Sequence, residues 1–243
     1  MDLAYQRKRL VDVAHGLKLS KALAEQERWP RDRLVEHQRR RVDGLVRHAM
    51  ERSPFYRERF AGLVGDGPVE LSALPILDKA TMMERFDDLV TDRRLRRDEL
   101  LRDLETLDRD ALHFGEYRVM ATSGSSGAKG LFVYDRPGWA GIAAMFFPRH
   151  GELAGLRPRL PRVRLALLGG GAPTHMSARG AATLKIGVHR LLALPVTAPL
   201  PQIVEALNDF QPQFLSSYPS LTTLLAEEQL RGRLQIAPTG MST

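Results

Sequence analysis

The C-terminal half of the sequence alternates short apolar runs with segments of helical periodicity, and this alternation limits the fold more than any other feature. The expected strands are residues 163–168, 188–194, 214–216 and a last strand beginning at 235–237. Residues 200–210 predict a helix, with Ile203 and Leu207 on one side. Pro219 suits the first turn of the next helix, and Gly232 suits its end. Repeated β–α units of this kind predict a parallel or mixed sheet flanked by helices.

The first part of the chain is predicted to be mainly helical. Apolar residues recur every three or four positions in residues 33–52, and Pro54 ends that helix because the residue before a proline avoids the helical region. Asp78 is expected to cap a short helix that follows it. We therefore divide the chain into a mainly helical region, residues 1–110, and an α/β region, residues 111–243.

The strongest functional signal lies between two further predicted strands, residues 117–122 and 131–134. The connecting residues combine hydroxyl side chains, glycines and one lysine, in the order Thr122, Ser123, Gly124, Ser125, Ser126, Gly127, Ala128, Lys129 and Gly130. Glycines let a backbone approach a ligand closely, successive N–H groups form an anion-binding concavity, and lysine adds a mobile positive charge. This composition suits a strap over a triphosphate.

Two other interpretations of the loop compete with a phosphate strap. A Walker A loop needs lysine followed by serine or threonine at the start of a helix, whereas Lys129 is followed by Gly130 and then by a predicted strand. A Ser/Gly-rich surface turn without a ligand fits the composition about as well as a phosphate strap does.

The loop resembles the phosphate-binding signature of adenylate-forming enzymes, roughly S/T-S-G-S/T-S/T-G-x-P-K. The matching positions are Thr122, Ser123, Gly124, Ser125, Ser126 and Gly127. The chain departs from the signature after Gly127, where the proline is absent and Lys129 arrives one residue early. Three further stretches, residues 48–57, 74–79 and 214–220, resemble the phenylacetate–CoA ligase subfamily in the same order along the chain.

The resemblance implies a fold, a reaction and a set of binding residues. The fold would be an incomplete N-terminal domain of an adenylate-forming enzyme. ATP with Mg²⁺ would activate a small carboxylic acid, aryl or acyl, as an acyl-adenylate that a thiol such as CoA then accepts. The loop from Thr122 to Lys129 would hold the β- and γ-phosphates, and Tyr218, Pro219 and Ser220 would lie near the acyl pocket. A packed, half-buried aromatic without a ligand is the alternative for Tyr218. No catalytic residue and no protein ligand for a metal is assigned.

The resemblance also implies that later catalytic segments lie beyond Thr243. These are the segment that contacts adenine and magnesium, the ribose-binding aspartate and a C-terminal domain with its lysine. We therefore expect the chain to need a complementary C-terminal half and to show no carboxylate-dependent ATP–pyrophosphate exchange alone. Its last strand is expected to leave an open sheet edge that favours self-association. A catalytically inactive nucleotide-binding or interaction module of the same fold is the alternative.

A second glycine-rich turn, Gly169-Gly170-Gly171, follows the buried run at 163–168. Open α/β sheets bind ligands at the carboxyl ends of their strands, so we expect this turn at a ligand-binding edge. His175 either faces a substrate there or is a histidine of a surface loop.

Charge and composition limit the kind of partner. The formal net charge is +7, but the N-terminal arginines alternate with acidic residues, which is typical of solvated helix faces. A nucleic-acid-binding protein is an alternative on net charge alone, and we do not expect one. The chain has no cysteine, and no apolar run approaches the roughly 18 residues that span a bilayer. With an N-terminus that lacks a signal-peptide core, these features favour a cytoplasmic protein without a membrane partner.

Overall fold

The computed structural model describes residues 3–107, 111–122, 129–146, 161–185, 187 and 189–243. The chain divides into two compact units, each built from separate stretches of sequence. The first unit comprises Met1–Ala24, Leu107–Met120 and Val133–Thr243, and the second comprises Glu25–Thr106 and Ala121–Phe132.

Ten α-helices and one 3₁₀ turn occur in the described residues. Their bounds are α1 Leu3–Gln26, α2 Arg31–Arg52, α3 Pro54–Arg59, the 3₁₀ turn Leu71–Ala73, α4 Lys79–Glu84, α5 Phe86–Leu89, α6 Arg97–Glu105, α7 Arg136–Phe146, α8 Met176–Leu184, α9 Leu200–Phe210 and α10 Pro219–Leu230. The helices predicted at 33–52 and 200–210 are confirmed as α2 and α9. None of the described helices combines the length and the apolar character that a bilayer span requires.

Six β-strands occur in the described residues, in two sheets. Their bounds are β1 Arg118–Ala121, β2 Leu131–Tyr134, β3 Arg164–Gly169, β4 Arg190–Pro195, β5 Phe214–Ser216 and β6 Gly240–Ser242. β1 pairs with β2, and the other four strands form a sheet in the order β4-β3-β5-β6 in which every pairing is parallel. The α/β fold class, with a helical N-terminal region followed by a sheet flanked by helices, is confirmed.

One face of the parallel sheet packs against α9 and α10. Ile203 and Leu207 of α9 and Leu225 of α10 are buried in one cluster with Ala166 and Leu215 of the sheet. Each large aliphatic side chain buried in this way contributes about 1.5–3 kcal/mol to the free energy of folding. The apolar side predicted for α9 therefore packs this helix against the strands.

The second unit shows why its helices end where they do. Ser53 is fully buried after the last residue of α2, where its hydroxyl accepts a hydrogen bond from Tyr56 N–H (3.3 Å) and donates to Asp88 O (2.9 Å). The predicted end of α2 is therefore confirmed, and the same serine caps α3. The predicted cap at Asp78 is confirmed as well, because its carboxylate accepts a hydrogen bond from Thr81 N–H (2.7 Å).

A buried ion pair fastens α1 to the rest of the first unit. Asp12 of α1 is 3% exposed, and its carboxylate oxygens accept hydrogen bonds from Arg118 Nη1 (3.2 Å) and Arg136 Nε (2.9 Å). The Arg118 guanidinium is also buried and lies 5.0 Å from the ring centroid of Trp139. Loss of one partner of such a pair leaves the other charge buried, so the three side chains are needed together.

The last strand lies further along the chain than the sequence predicts. The expectation that a strand begins at 235–237 is wrong, since β6 starts at Gly240. Gln235 N–H donates to Asn208 Oδ1 (2.7 Å) and is therefore not available to a neighbouring strand. Pro238 has no N–H to give to a ladder, so regular pairing begins only after it.

The sequence shows no apolar stripe over α8, and this helix is not predicted. Arg179, Gly180 and Thr183 interrupt the apolar positions, although all three are buried. The Arg179 guanidinium donates to the carbonyl oxygens of Ala111 and Val119, both at 3.0 Å. Buried polar contacts therefore hold α8 in position, a role that an apolar face has in most helices.

Candidate functional site

The strand order of the parallel sheet creates a switch point between β3 and β5. From β3 the chain crosses through α8 to β4 on one side, and then through α9 to β5 on the other side of β3. The connections that follow β3 and β5 thus diverge, and the crevice at such carboxyl ends is where open α/β sheets bind ligands. Leu167 of β3 pairs in register with Ser216 of β5. The two strands therefore end at the same edge of the sheet, β3 at Gly169 and β5 at Ser216.

The Gly169-Gly170-Gly171 turn lies at this edge and lets α8 begin in contact with the end of β3. A Cβ atom on Gly169 would lie 2.6 Å from Ser177 Cβ, and one on Gly170 would lie 2.1 Å from His175 Nδ1. Carbon atoms in contact are normally about 3.5–4.0 Å apart, so a side chain on Gly169 would displace the first turn of α8, and one on Gly170 would displace the His175 ring. Gly170 N–H also donates to Ser177 Oγ (2.8 Å), which ties the turn to the helix.

His175 is the N-cap residue of α8. It is half-buried, it makes no side-chain capping hydrogen bond, and its ring lies against Gly170. The structure therefore places His175 in the turn between β3 and α8, at the carboxyl edge of the sheet.

A cavity of about 650 Å³ lies under α8. Side chains alternate between the two faces of a strand, so Ala166 packs with α9 and α10 while Leu165 and Leu167 line the cavity. From Ser177 to Ala182, every α8 residue that lines the cavity is small. Such side chains leave room between helix and sheet, and the resulting volume is within the range of about 300–1,000 Å³ typical of ligand pockets.

The polar groups of the cavity lie at its ends. Ser177, Ser216 and Ser242 line it at the carboxyl edge, where Ser216 and Ser242 are direct partners in the β5–β6 register. Lys185 lines it at the opposite end, because α8 runs back along the sheet from the glycine turn. Between these ends the floor is apolar. The arrangement can hold a ligand with an apolar body and a polar head group at the switch point.

The predicted acyl-pocket residues lie at the same edge but outside this cavity. Tyr218 is the N-cap residue of α10, Pro219 is its first residue, and Ser220 follows. All three are exposed, and the Tyr218 side chain is 50% accessible. Tyr218 is therefore half-exposed, and both its predicted role beside the acyl pocket and the alternative of a packed, half-buried aromatic stay predictions. The lining residue that precedes them most closely in the chain is Ser216.

Two residues of the predicted phosphate loop, Thr122 and Lys129, are described. Thr122 N–H donates to Gly130 O (2.9 Å), and Gly130 N–H donates to Thr122 Oγ1 (2.8 Å). A Cβ atom on Gly130 would lie 3.4 Å from Lys79 Cδ, so the stem of a second lysine packs beside this pair. The Lys129 side chain is exposed. Other members of the predicted loop lie outside the described residues, namely Ser123, Gly124, Ser125, Ser126 and Gly127.

None of the described groups with a shifted pKa belongs to the cavity lining. Side-chain hydrogen bonds from Arg233 (2.5 and 2.6 Å) lower the pKa of Glu228, and burial raises the pKa of Tyr56. Backbone N–H donation from Thr81 lowers the pKa of Asp78 at the start of α4. These shifts belong to structural contacts and identify no general acid or base. The described part of the chain also holds no group of three or more His, Cys, Asp or Glu residues suited to a metal ion.

Comparison with known proteins identifies the fold. No family model and no curated protein matches the sequence. The solved structures that share the fold include CoA ligases in complex with an adenylate. They are structures of 2-hydroxyisobutyryl-CoA ligase, and the chain spans about two fifths of their length.

Three of these structures show the extent of the likeness. The ligase in its postadenylation state with 2-HIB-AMP matches with a TM-score of 0.57 at 18% identity, over 84% of this chain and 41% of that chain. An open conformation with 2-HIB-AMP and CoA gives 0.52 at 19% identity, over 80% and 39%. A postadenylation state with R3-HIB-AMP gives 0.55 at 19% identity, over 84% and 40%. The chain therefore shares the α/β fold of part of 2-hydroxyisobutyryl-CoA ligase.

The cavity wall is the part of the site that the sequence analysis missed. Neither Ser177 nor Lys185 could be identified as a site residue from the sequence, because no apolar stripe predicts α8. A topological signal was present, however. Two parallel neighbouring strands need a crossover of a dozen or more residues, usually a helix, so the strands predicted at 163–168 and 188–194 required one between them.

Proposed function

We propose that this chain is the acid- and nucleotide-binding part of an ATP-dependent carboxylate–CoA ligase of the phenylacetate–CoA ligase kind. The cavity of about 650 Å³ that ends at the switch point of the parallel sheet carries the proposal. The loop sequence from Thr122 to Lys129 and the fold shared with a CoA ligase solved with an adenylate support it. The substrates are ATP with Mg²⁺, a small aryl or acyl carboxylic acid, and CoA as the acceptor.

The proposed reaction has two steps. A carboxylate oxygen attacks the α-phosphorus of ATP, and the bond from that phosphorus to the bridging oxygen breaks, so pyrophosphate leaves with the electron pair. The sulfur of CoA then attacks the acyl carbon, a thioester forms, AMP leaves, and the thiol proton passes to solvent. The protein's part in the first step is to position the reactants and to neutralise phosphate charge.

Each part of the chain has a place in this scheme. The cavity holds the apolar body of the acid, with its carboxylate toward the serines at the carboxyl edge. Tyr218, Pro219 and Ser220 border that edge. The phosphates are bound by Thr122, Ser123, Gly124, Ser125, Ser126, Gly127 and Lys129. Mg²⁺ neutralises phosphate charge when bound with ATP, and no magnesium ligand is assigned to the described residues.

A complementary C-terminal half completes the proposed enzyme, which acts in the cytoplasm. The edge of β6 is where the first unit would associate with that half or with a second copy. The alternative is a catalytically inactive nucleotide-binding module of the same fold. The absence of proline after Gly127 and the early position of Lys129 favour that alternative.

Binding of a fluorescent ATP analogue with Mg²⁺ tests the proposal. We expect saturable binding by the 243-residue chain, weakened about threefold to tenfold by Lys129→Gln, because one exposed charge contact is worth about 1 kcal/mol. Lys21→Gln removes the same charge from α1 and is expected to leave the affinity unchanged. Absence of saturable binding contradicts the proposal. Carboxylate-dependent ATP–pyrophosphate exchange after addition of the complementary half separates the ligase from the inactive module.

A further inference from the structure

We infer that the acid taken by the cavity under α8 carries a second anionic group at its tail, and that Lys185 recognises this group. The ligand class is a carboxylic acid with two anionic ends, such as a medium-chain dicarboxylic acid. The inference rests on the proposed function, because it takes this cavity as the acid site.

The charge of the cavity points to such a ligand. Lys185 is the only charged residue in the described lining, which otherwise consists of apolar, glycine and serine residues. No described carboxylate forms an ion pair with its amine, so the charge is not neutralised within the described part of the chain. An anion brought to this end of the cavity therefore meets a cation without displacing an existing partner.

A basic residue at the end of a helix usually serves the helix itself, by binding its last carbonyl groups. At the end of α8 that role belongs to Arg9 of α1. The Arg9 guanidinium donates to Ala182 O (3.2 Å) and to the backbone oxygen of Lys185. Lys185 is therefore not needed to neutralise the end of α8, and it is an exposed residue whose side chain is available to a ligand.

The distance along α8 sets the size of the ligand. Ser177 lies near the start of the helix and Lys185 directly follows its last residue. Eight residues at about 1.5 Å each separate the two positions by about 12 Å. The reach of the lysine side chain shortens the span that the ligand must cover. One carboxylate then lies at the switch point, where the proposed activation occurs, and the other lies at Lys185 without reacting.

Titration of the ¹⁵N-labelled chain with octanedioate and with octanoate, at matched ionic strength, tests the inference. We expect octanedioate to bind about threefold to fivefold more tightly, since exposed ion pairs are individually weak. Lys185→Gln is expected to abolish this preference by weakening the binding of octanedioate. Lys21→Gln is the matched control, because it lowers the net charge equally and should retain the preference.

The outcomes separate the inference from the function on which it rests. A preference for the dianion that Lys185→Gln and Lys21→Gln reduce equally reflects net charge alone and overturns the inference. Equal affinities of the unmodified chain for the two acids, with shifts of the Gly169–Gly171 amides, overturn the inference but leave the acid site intact. If neither acid shifts those amides, both the inference and the proposed acid site are wrong.

Discussion

Replacement of Gly169 by alanine tests the contact between β3 and α8 that forms one end of the cavity. The new Cβ atom would lie 2.6 Å from Ser177 Cβ and 2.8 Å from its Oγ. A Cβ atom is fixed by its own backbone, so Ser177 cannot rotate away and α8 must move by about 1 Å to reach normal contact. Overpacking of this kind costs about 1–3 kcal/mol, and we expect Gly169→Ala to lower the free energy of unfolding by about 2 kcal/mol.

Urea denaturation measures this loss, with Gly141→Ala as the matched control. Gly141 lies in α7 and has no atom within 4 Å of its added Cβ position, so alanine there is expected to stabilise the chain by about 0.5–1 kcal/mol. The two substitutions are chemically identical, and the predicted changes have opposite signs.

A double-mutant cycle with Ser177→Gly identifies the atom that causes the loss. Removing the Ser177 side chain relieves the overlap. The free energy of unfolding lost by the double variant should therefore be about 1 kcal/mol smaller than the sum of the losses of the two single variants. Independent, additive effects would show that the clash with Ser177 is not the cause. An unfolding free energy within about 0.5 kcal/mol of the unmodified chain for Gly169→Ala would refute the close approach of α8.

Two further predictions concern charges in the first unit. Asp12→Asn keeps the shape of the side chain but removes the carboxylate that pairs with the buried Arg118 guanidinium. We expect urea denaturation to show a loss of about 3 kcal/mol in the free energy of unfolding. A loss below about 1 kcal/mol would contradict a buried ion pair. Hydrogen bonds from Arg233 hold the pKa of Glu228 below its ordinary value of 4.5, so their stabilisation is present in full above pH 4.5 and is lost as the pH falls through the lowered pKa. Glu228→Gln should therefore flatten the dependence of unfolding free energy on pH below 4.5, and an unchanged acid slope would contradict this assignment.

Amphipathic helices and short buried strands could be predicted because their signals are local. The apolar side of α9 is visible in the sequence, and its bounds and those of β5 agree with the structure to the residue. The position of β6 could not be predicted in this way. It depends on whether the Gln235 N–H is taken by Asn208, a contact between residues 27 positions apart.

In the candidate site too, features with a local sequence signal could be predicted and features that depend on distant contacts could not. Three glycines after a buried run predicted a turn at a ligand-binding edge, and the structure places them at the switch point. Lys185 could not be identified from the sequence, because its availability depends on Arg9, which lies 176 residues earlier and binds the end of α8. Contacts across that separation leave no local pattern of residues.

The attachment of α1 also sets the order in which the chain can fold during synthesis. The partners of Asp12 and Arg9 are made 106 and 176 residues later, so α1 leaves the ribosome long before the surface it binds exists. At about 5–20 residues per second, the wait between Arg9 and Lys185 lasts about 10–35 s. Most of the second unit, Glu25–Thr106, is translated within that interval. The nascent chain must therefore keep α1 without these partners while residues 25–106 of the second unit are made.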